Sequence, residues 1–388
     1  MIARLARVEW AVIIPAIGLV SAGILILSTT SEPIESPLDS NAVQQAIFAG
    51  VGLVGAVLMA FLHYRRLRHV ATPAYVLGLV CLGGVLLVGD DSYGARRWFD
   101  VGPIVIQPSE LMKLALILCL ARFLSRRPDM ARSLRAVLLS LGLTLAPVGL
   151  IFLEPDLGTA LVLCTVWLIM VFAAGARWWH LLLPFAIAVA AFPFGWFFAK
   201  DYMRERLVTF FDPASDPLGA GYNILQARIS VGAGGWLGQG IGQGSQTNLE
   251  FLRVRDTDFI FAALGEQLGF VGGLGILLFF SLLITQAVII ALRARDDFGR
   301  LIALGTAAML FVQSFVNIGM NVGLMPVTGL TLPLVSYGRN SMTVTLSLLG
   351  ILISVSAHHA AAPHRQAIGQ WLATAVPSSV RARGSSRR

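Results

Sequence analysis

Long apolar stretches alternate with short polar loops along most of this chain. Nearly all of the apolar stretches are roughly 20 residues long, the length with which an α-helix crosses a hydrocarbon core about 30 Å thick. The pattern predicts membrane spans at about 10–28, 43–62, 73–89, 109–125, 134–152, 157–174, 179–199, 259–292, 301–323 and 341–359. It therefore indicates an all-α integral membrane protein with about ten transmembrane helices.

Composition and charge support the membrane interpretation and give it an orientation. Hydrophobic residues make up 56% of the 388 residues and charged residues 13%, whereas a soluble domain is roughly one quarter charged. If the sides alternate from a cytoplasmic N-terminus, most arginines fall in inner loops and most acidic residues in outer ones, as the positive-inside rule requires. Both termini are then cytoplasmic, and the net charge of +8 reflects topology and not nucleic-acid binding.

The chain divides into a membrane domain, residues 1–361, and a basic tail, residues 362–388. The tail is predicted to be disordered in the cytoplasm, either simply solvated or touching anionic membrane lipids. The longest segment between spans runs from about Lys200 to Thr257, joins spans seven and eight outside the membrane, and is rich enough in apolar residues to predict interfacial helices. Its stretch VGAGGWLGQGIGQG predicts tight turns, because no strand precedes it and no Gly-Lys-Ser follows it.

Charged residues at membrane depth are the first candidates for function, because burying a charge in lipid is costly. Glu110 and Lys113 open the fourth span and share one helix face, since they are three residues apart. Lysine occurs only twice in this arginine-rich chain, so a compact ammonium group is indicated at position 113. A purely structural ion pair with Glu110 is the alternative.

Two carboxylates, Asp256 and Asp258, stand where the eighth span begins. Asp258 would lie in the first turn of that helix, where the helix dipole favours its anion and burial opposes it. Such a balance can tune a carboxylate as a general base. Alternatively, both residues only cap the helix.

Three further groups of residues lie on the predicted outer face. Asp156, in the turn EPDLGT, is either a helix cap or a ligand-binding residue. Arg96 and Arg97 either extend to the membrane interface or bind a diphosphate, for which arginine is well suited. Ser336 enters the last span after a stretch rich in proline and glycine.

Metal chemistry is constrained by where histidine and cysteine occur. All six histidines fall on or near the predicted cytoplasmic side, and all three cysteines lie within apolar runs. A zinc site on the outer face is therefore not expected. A divalent cation such as Mg²⁺ or Mn²⁺, held by carboxylates and by substrate phosphate, stays open as a cofactor.

Five stretches resemble one family in sequence and in order: GARRWFDVGPIVIQPSELMK, EPDLGTA, DPLGAGYNILQARISVGAGG, TDFIFAALGEQLGFVGG and NIGMNVGLMPVTGLTLPLVSYG. The family is the SEDS proteins (shape, elongation, division and sporulation), which are peptidoglycan glycosyltransferases. The last stretch is more similar to the RodA branch than to the FtsW branch.

The resemblance implies a ten-helix protein of the bacterial cytoplasmic membrane that polymerises lipid II into glycan strands on the outer face, beside a class B penicillin-binding protein. By resemblance, Asp258 is the catalytic residue. The residues that resemblance places at the substrate are Gln107, Glu110, Lys113, Arg96, Arg97, Asp156 and Ser336.

Two positions depart from the family pattern. Arg253, Val254, Arg255 and Asp256 stand where the family usually has Pro-Glu-x-His, and Arg339 follows Gly338 where the family has a second glycine. We expect the extra carboxylate of Asp256 to raise the pKa of one of the two aspartates, with the flanking arginines opposing the shift.

The hypothesis is an inverting glycosyl transfer in which Asp258 takes the proton of an acceptor hydroxyl. Lys113, Arg96 and Arg97 would offset the charge of the leaving lipid diphosphate, and an apolar groove between spans would hold the polyprenyl tail. The alternatives are a lipid II flippase, which would place functional charges on both sides of the midplane, and a non-catalytic scaffold for the crosslinking enzyme.

Overall fold

The computed structural model describes residues 9–30, 40–92, 95–101, 104–126, 133–186, 190, 201–213, 219–249, 251–252 and 254–358. The predicted cytoplasmic tail and both chain termini lie outside these residues, as does Arg253. The domain boundary at residue 361 therefore stays a prediction.

Helices account for most of the described chain. In chain order they are α1 (Trp10–Thr30), α2 (Asn41–Phe61), α3 (Leu67–Val88), α4 (Pro108–Ser125), α5 (Leu134–Leu153), α6 (Leu157–Ala173), α7 (Asp201–Phe211), α8 (Ala220–Ala233), α9 (Ser245–Asn248), α10 (Ile260–Arg293), α11 (Asp297–Asn321) and α12 (Arg339–Ala357). Residues 178–186 are also helical, and a short 3₁₀ helix, Tyr64–Arg66, precedes α3.

The predicted multi-pass architecture is confirmed. Among the described residues, seven helices are long and apolar enough to cross a membrane: α1, α2, α3 with its 3₁₀ turn, α5, α10, α11 and α12. Two more helices coincide with the predicted fourth and sixth spans but are not among the seven. They are α4, which carries three charged residues, and α6, which has 17 residues. The predicted seventh span, 179–199, is described only in part and is helical where it is described.

The centre of the bundle is formed by α11 and α12, most of whose residues are buried. By contrast, α2 buries few residues and exposes large apolar side chains such as Leu53 and Leu58. An exposed apolar surface of this kind suits a helix that faces lipid. Because α11 and α12 are packed on most sides, their ends are held in place, and these ends carry polar residues described below.

A kink at Gly269 divides α10 into two parts. The 34 residues of α10 would extend about 51 Å as one straight helix, well beyond a hydrocarbon core of about 30 Å. At Gly269 the backbone leaves helical geometry, with φ 66° and ψ −164°. Residues 260–268 thus form a separate, almost fully buried helical segment, and residues 270–293 would extend about 36 Å, enough to cross the core without it.

The glycine-rich stretch packs against this kink. The backbone N–H groups of Gln239 and Gly240 donate to the carbonyls of Glu266 and Gln267, at 2.9 and 3.1 Å. Gly238 adopts a positive φ of 82°, and a Cβ atom there would overlap the Gln267 carbonyl. The predicted tight turns are therefore present, and the glycines allow two backbone segments to touch.

A small antiparallel sheet precedes α4 and was not expected from the sequence. It consists of β1 (Asp90–Ser92), β2 (Ala95–Val101) and β3 (Ile104–Ile106), in the order β1-β2-β3. The aromatic and β-branched residues of WFDV and IVI favour extended backbone. Arg97 lies on β2, and the sheet therefore sets its position relative to the start of α4.

Candidate active site

The loop that carries Asp258 is held by side chains from two other parts of the bundle. Asn317 and Asn321, one helical turn apart on α11, both donate from Nδ2 to the Asp258 carbonyl, at 3.1 and 2.9 Å. On the opposite side, the Ser336 hydroxyl donates to the Thr257 carbonyl at 2.6 Å. These bonds satisfy backbone acceptors that would otherwise be costly to bury, and they fix the loop just before α10.

Asp258 is a partly exposed carboxylic acid whose pKa is raised to about 6. Burial is the largest cause, because it disfavours the anion, and the nearby carboxylate of Asp156 adds to it. Arg206, a hydrogen bond from the Thr257 side chain and Arg97 act in the opposite direction. The side chains that influence Asp258 thus come from β2, α7 and the start of α6.

Arg97 links the sheet to the turn that carries Asp156. Its Nε donates to the Glu154 carbonyl at 2.7 Å, and its Nη2 donates to the Pro155 carbonyl at 2.6 Å. Asp156 caps α6 by accepting the Thr159 N–H at 3.0 Å, as an N-cap residue does. The predicted cap is therefore present, and the same residue also acts electrostatically on Asp258.

A close backbone approach brings one further segment to the site. A Cβ atom on Gly158 would lie 2.8 Å from the carbonyl oxygen of Thr328, so only glycine fits there without a shift. Gly329, with φ 76°, places its Cα so that a Cβ would be 3.9 Å from Oδ2 of Asp258. The segment 328–330 therefore lies between the start of α6 and the Asp258 loop.

Glu154 lies almost completely buried behind this turn. Within the described part of the chain, neither carboxyl oxygen of Glu154 has a hydrogen-bond partner. Burial and the Asp156 carboxylate raise the pKa of Glu154 to about 8, against a smaller lowering by Arg97. The raised pKa favours the neutral form of Glu154 near pH 7.

The predicted Glu110–Lys113 pair is present at the start of α4. Pro108 is the first residue of the helix, with Gln107 as its N-cap. Lys113 Nζ lies 2.7 Å from both carboxylate oxygens of Glu110, and both side chains are buried. The pair is thus built as expected, and its contact with substrate stays a prediction, as does that of Gln107.

Two of the predicted substrate residues, Ser336 and Arg96, need separate comment. Ser336 makes its contacts within the protein, and the Arg96 side chain is not described. The Ser336 hydroxyl is buried; it donates to Thr257 and accepts from the Leu332 N–H at 2.8 Å. These contacts give Ser336 a role in holding the loop that carries Asp258. Arg96 lies on β2 beside Arg97, but its side chain is outside the described part of the structure.

The expected effect of Asp256 on Asp258 is not what the structure gives. The Asp256 carboxylate is directed to α1 and α2, where it accepts hydrogen bonds from Thr30 and Asn41. The groups that raise the pKa of Asp258 are burial and Asp156. The direction of the Asp256 side chain is set by partners more than 200 residues away in the chain, which the local sequence does not reveal.

Three residues near Asp258 were not singled out from the sequence. Asn317 and Asn321 are amides four residues apart inside a span, and polar residues at membrane depth are themselves a signal of function. Arg206 lies on α7 in the long outer segment, where nothing in the local pattern separates it from other arginines. Only the fold brings it to Asp258.

The described residues were compared with the ligand sets that metal ions require. They contain no group of three or more histidine, cysteine, aspartate or glutamate side chains placed to hold one. The divalent cation considered from the sequence therefore stays a prediction, and no step below depends on it.

Comparisons with known proteins agree with this architecture. The FtsW, RodA and SpoVE family model, described as a cell cycle protein, matches residues 6–361. The peptidoglycan glycosyltransferase MrdB of Escherichia coli K12 is 43% identical over 311 residues, which cover 79% of this chain and 83% of the relative.

Two solved structures are also similar. A chain of a peptidoglycan synthase complex, studied for its coordination of polymerization and crosslinking, is 38% identical, with a TM-score of 0.77 over 90% of this chain and 98% of that one. The rod shape determining protein RodA of Thermus thermophilus is 34% identical, with a TM-score of 0.67 over 90% and 97%. The curated names confirm the predicted glycosyltransferase activity. This chain belongs to the FtsW, RodA and SpoVE family of multi-pass membrane proteins, the family predicted from its motifs.

Proposed function

We propose that this chain polymerises lipid II into glycan strands on the outer face of the cytoplasmic membrane during cell elongation. The observation that carries the proposal is Asp258, a carboxylic acid with a pKa of about 6 that is held beside Arg97 and Arg206. A base with a pKa near the working pH combines a populated anion with a useful affinity for protons.

In the proposed reaction, a sugar hydroxyl of the acceptor attacks the anomeric carbon of the lipid-linked donor. The new bond joins the acceptor oxygen to that carbon, and the bond from the carbon to the diphosphate oxygen breaks. The electron pair leaves with the diphosphate, and Asp258 takes the hydroxyl proton. Inversion at the anomeric carbon follows from a single displacement.

Cationic side chains would offset the charge that develops on the leaving diphosphate. Arg97 and Arg206 are the candidates whose position near Asp258 is supported by their effect on its pKa. Lys113, oriented by Glu110, is a third candidate. Arg97 already donates from Nε and Nη2 to the Glu154 and Pro155 carbonyls, so it would act on the diphosphate through its charge and its remaining N–H groups.

An apolar groove offers a place for the polyprenyl tail. It has a volume of about 760 Å³ and lies between α1, α2 and α12, from Ser21 to Val12 along α1. The outer ends of the same three helices contact the Asp258 loop, through Thr30, Asn41 and Tyr337. The groove occupies the cytoplasmic half of these helices and begins at Ser21, roughly 13 Å along α1 from Thr30, so the distal part of a long polyprenyl tail would reach it from a diphosphate at the loop.

The partner is proposed to be a class B penicillin-binding protein that crosslinks the product. The similar chain in a solved peptidoglycan synthase complex supports an assembly of this kind. A non-catalytic scaffold would need no tuned base beside arginines, and a flippase would need functional charges on both sides of the midplane. The residues around Asp258 favour polymerisation over both.

Replacing the proposed base tests the function. We expect Asp258→Asn to lower lipid II polymerisation by at least about 10²-fold, because a positioned general base contributes this much or more. Glycan chains made by purified protein from labelled lipid II are the measurement. Asp100→Asn, at an exposed aspartate on β2, is the matched control and should retain full activity. Normal polymerisation by well-folded Asp258→Asn protein would refute the proposed base.

The pH dependence of the reaction gives a second prediction. Asp258 acts as a base only when ionised, so activity should be present above pH 6 and be lost as pH falls through about 6, the raised pKa of Asp258. Below that value kcat/KM should fall about tenfold per pH unit. Lipid II binding by Asp258→Asn protein, measured over the same range, controls for effects on the substrate. A kcat/KM value that is flat between pH 7 and pH 5 would contradict the assignment.

Filling the groove tests the proposed tail site. Gly50 lines the groove and has no atom within 4 Å of an added Cβ, so Gly50→Phe should fold and occupy the space of the tail. We expect the KM for lipid II to rise several-fold, with little change for a short-chain analogue. Gly83→Phe is the control, since Gly83 on α3 has equally open space outside the groove. Equal KM values for the two variants would show that the groove does not bind the polyprenyl tail.

A further inference from the structure

Asp256 makes two short side-chain hydrogen bonds to distant parts of the chain. Its carboxylate accepts the Thr30 hydroxyl at 2.5 Å and the Asn41 Nδ2 at 2.6 Å. Thr30 is the last residue of α1, and Asn41 is the first residue of α2. One carboxylate therefore joins the outer ends of both helices to the loop that carries Asp258.

The residue before Asp256 strengthens the same junction. Arg255 donates from Nε to the Thr30 carbonyl at 2.9 Å and from Nη1 to the Thr247 carbonyl at 2.7 Å. A cation at the C-terminal end of a helix is favourable, because the last carbonyls carry partial negative charge. At the end of α1, Arg255 thus binds the backbone carbonyl of Thr30, and Asp256 binds the Thr30 side chain.

The other side of the loop has separate contacts. The Asp256 carbonyl accepts the Tyr337 N–H at 2.8 Å, and Asn317 and Asn321 hold the Asp258 carbonyl. The loop therefore keeps its backbone contacts to α11 and to the start of α12 when the Asp256 side chain is removed. Loss of the Asp256 carboxylate should shift the direction of the loop without unfolding it.

We propose that Asp256 is a positioning residue, which sets the direction of the Asp258 carboxylate by fixing the loop to the outer ends of α1 and α2. The inference rests on the proposed role of Asp258 as the base. Asp256 itself contacts neither substrate nor the transferred proton. Its carboxylate accepts both donors at once, and charge-assisted hydrogen bonds are stronger than neutral ones. Small displacements of a catalytic group are costly: about 1 Å can reduce the rate about 10²-fold.

The first test compares three substitutions at position 256 and at its partner. Asp256→Ala should lower kcat about 10- to 100-fold, with an unchanged KM for lipid II and an unchanged acidic limb of the pH profile. Asp256→Asn should keep kcat within about threefold, because an amide can still accept from Asn41 and donate to the Thr30 hydroxyl. Asn41→Asp alone should be strongly defective, since it places a second carboxylate opposite Asp256.

A combined substitution then tests the contact itself. Asp256→Asn added to Asn41→Asp restores one donor and one acceptor, and it should recover most of the lost kcat, which only a direct interaction between the two residues would do. The melting temperature of each variant in detergent separates positioning from folding. A fall in kcat that merely follows the folded fraction, or an absence of rescue, would overturn the inference.

Asp258→Asn is measured in parallel to separate the two proposals. If Asp258→Asn retains polymerisation, the proposed function fails and this inference fails with it. If Asp258→Asn is inactive while Asp256→Ala retains the normal kcat, only the positioning role is refuted. If both variants are defective, with the rescue pattern above, both proposals are supported.

Discussion

The site depends on hydrogen bonds that hold one short loop at the outer end of a buried helix bundle. In a low-dielectric surrounding, a backbone carbonyl without a partner is costly, and the carbonyls of Thr257 and Asp258 have partners from Ser336, Asn317 and Asn321. The same bonds that make burial tolerable also fix the backbone beneath the Asp258 carboxylate. Stability of the loop and direction of the proposed base therefore have one physical origin.

Partial burial then sets the chemistry of that carboxylate. Removing water raises the pKa of Asp258, whereas the positive charges of Arg97 and Arg206 keep it from rising far. In the proposed reaction the same arginines would also offset the charge of the leaving diphosphate. The arrangement thus offers a base and positive charge in one place.

The sequence predicted the helices well, because the length and apolarity of a span are local properties of the chain. It did not predict the kink at Gly269, since the run GFVGG stays apolar across it and hydropathy does not report φ and ψ. The direction of Asp256 and the approach of Arg206 were missed for a different reason. Both are set by contacts between segments far apart in the chain, which no local pattern contains. Asp258 and Asp156 were singled out from their positions at predicted helix starts, motif resemblance gave them their predicted roles, and the structure adds their electrostatic interaction.

Under the proposed mechanism, position 258 faces water on the outer side and a bound lipid-linked sugar. The most direct measurement labels Asp258→Cys, in protein whose three native cysteines are replaced, with a membrane-impermeant maleimide added outside intact cells without an outer membrane. We expect position 258 to be labelled from outside, at a rate that lipid II lowers. Asp297→Cys lies at the opposite end of α11 from the Asn321 contact to the loop, and it should be labelled only after the membrane is permeabilised. Labelling of position 258 only after permeabilisation, or at a rate that lipid II does not change, would contradict the proposed mechanism.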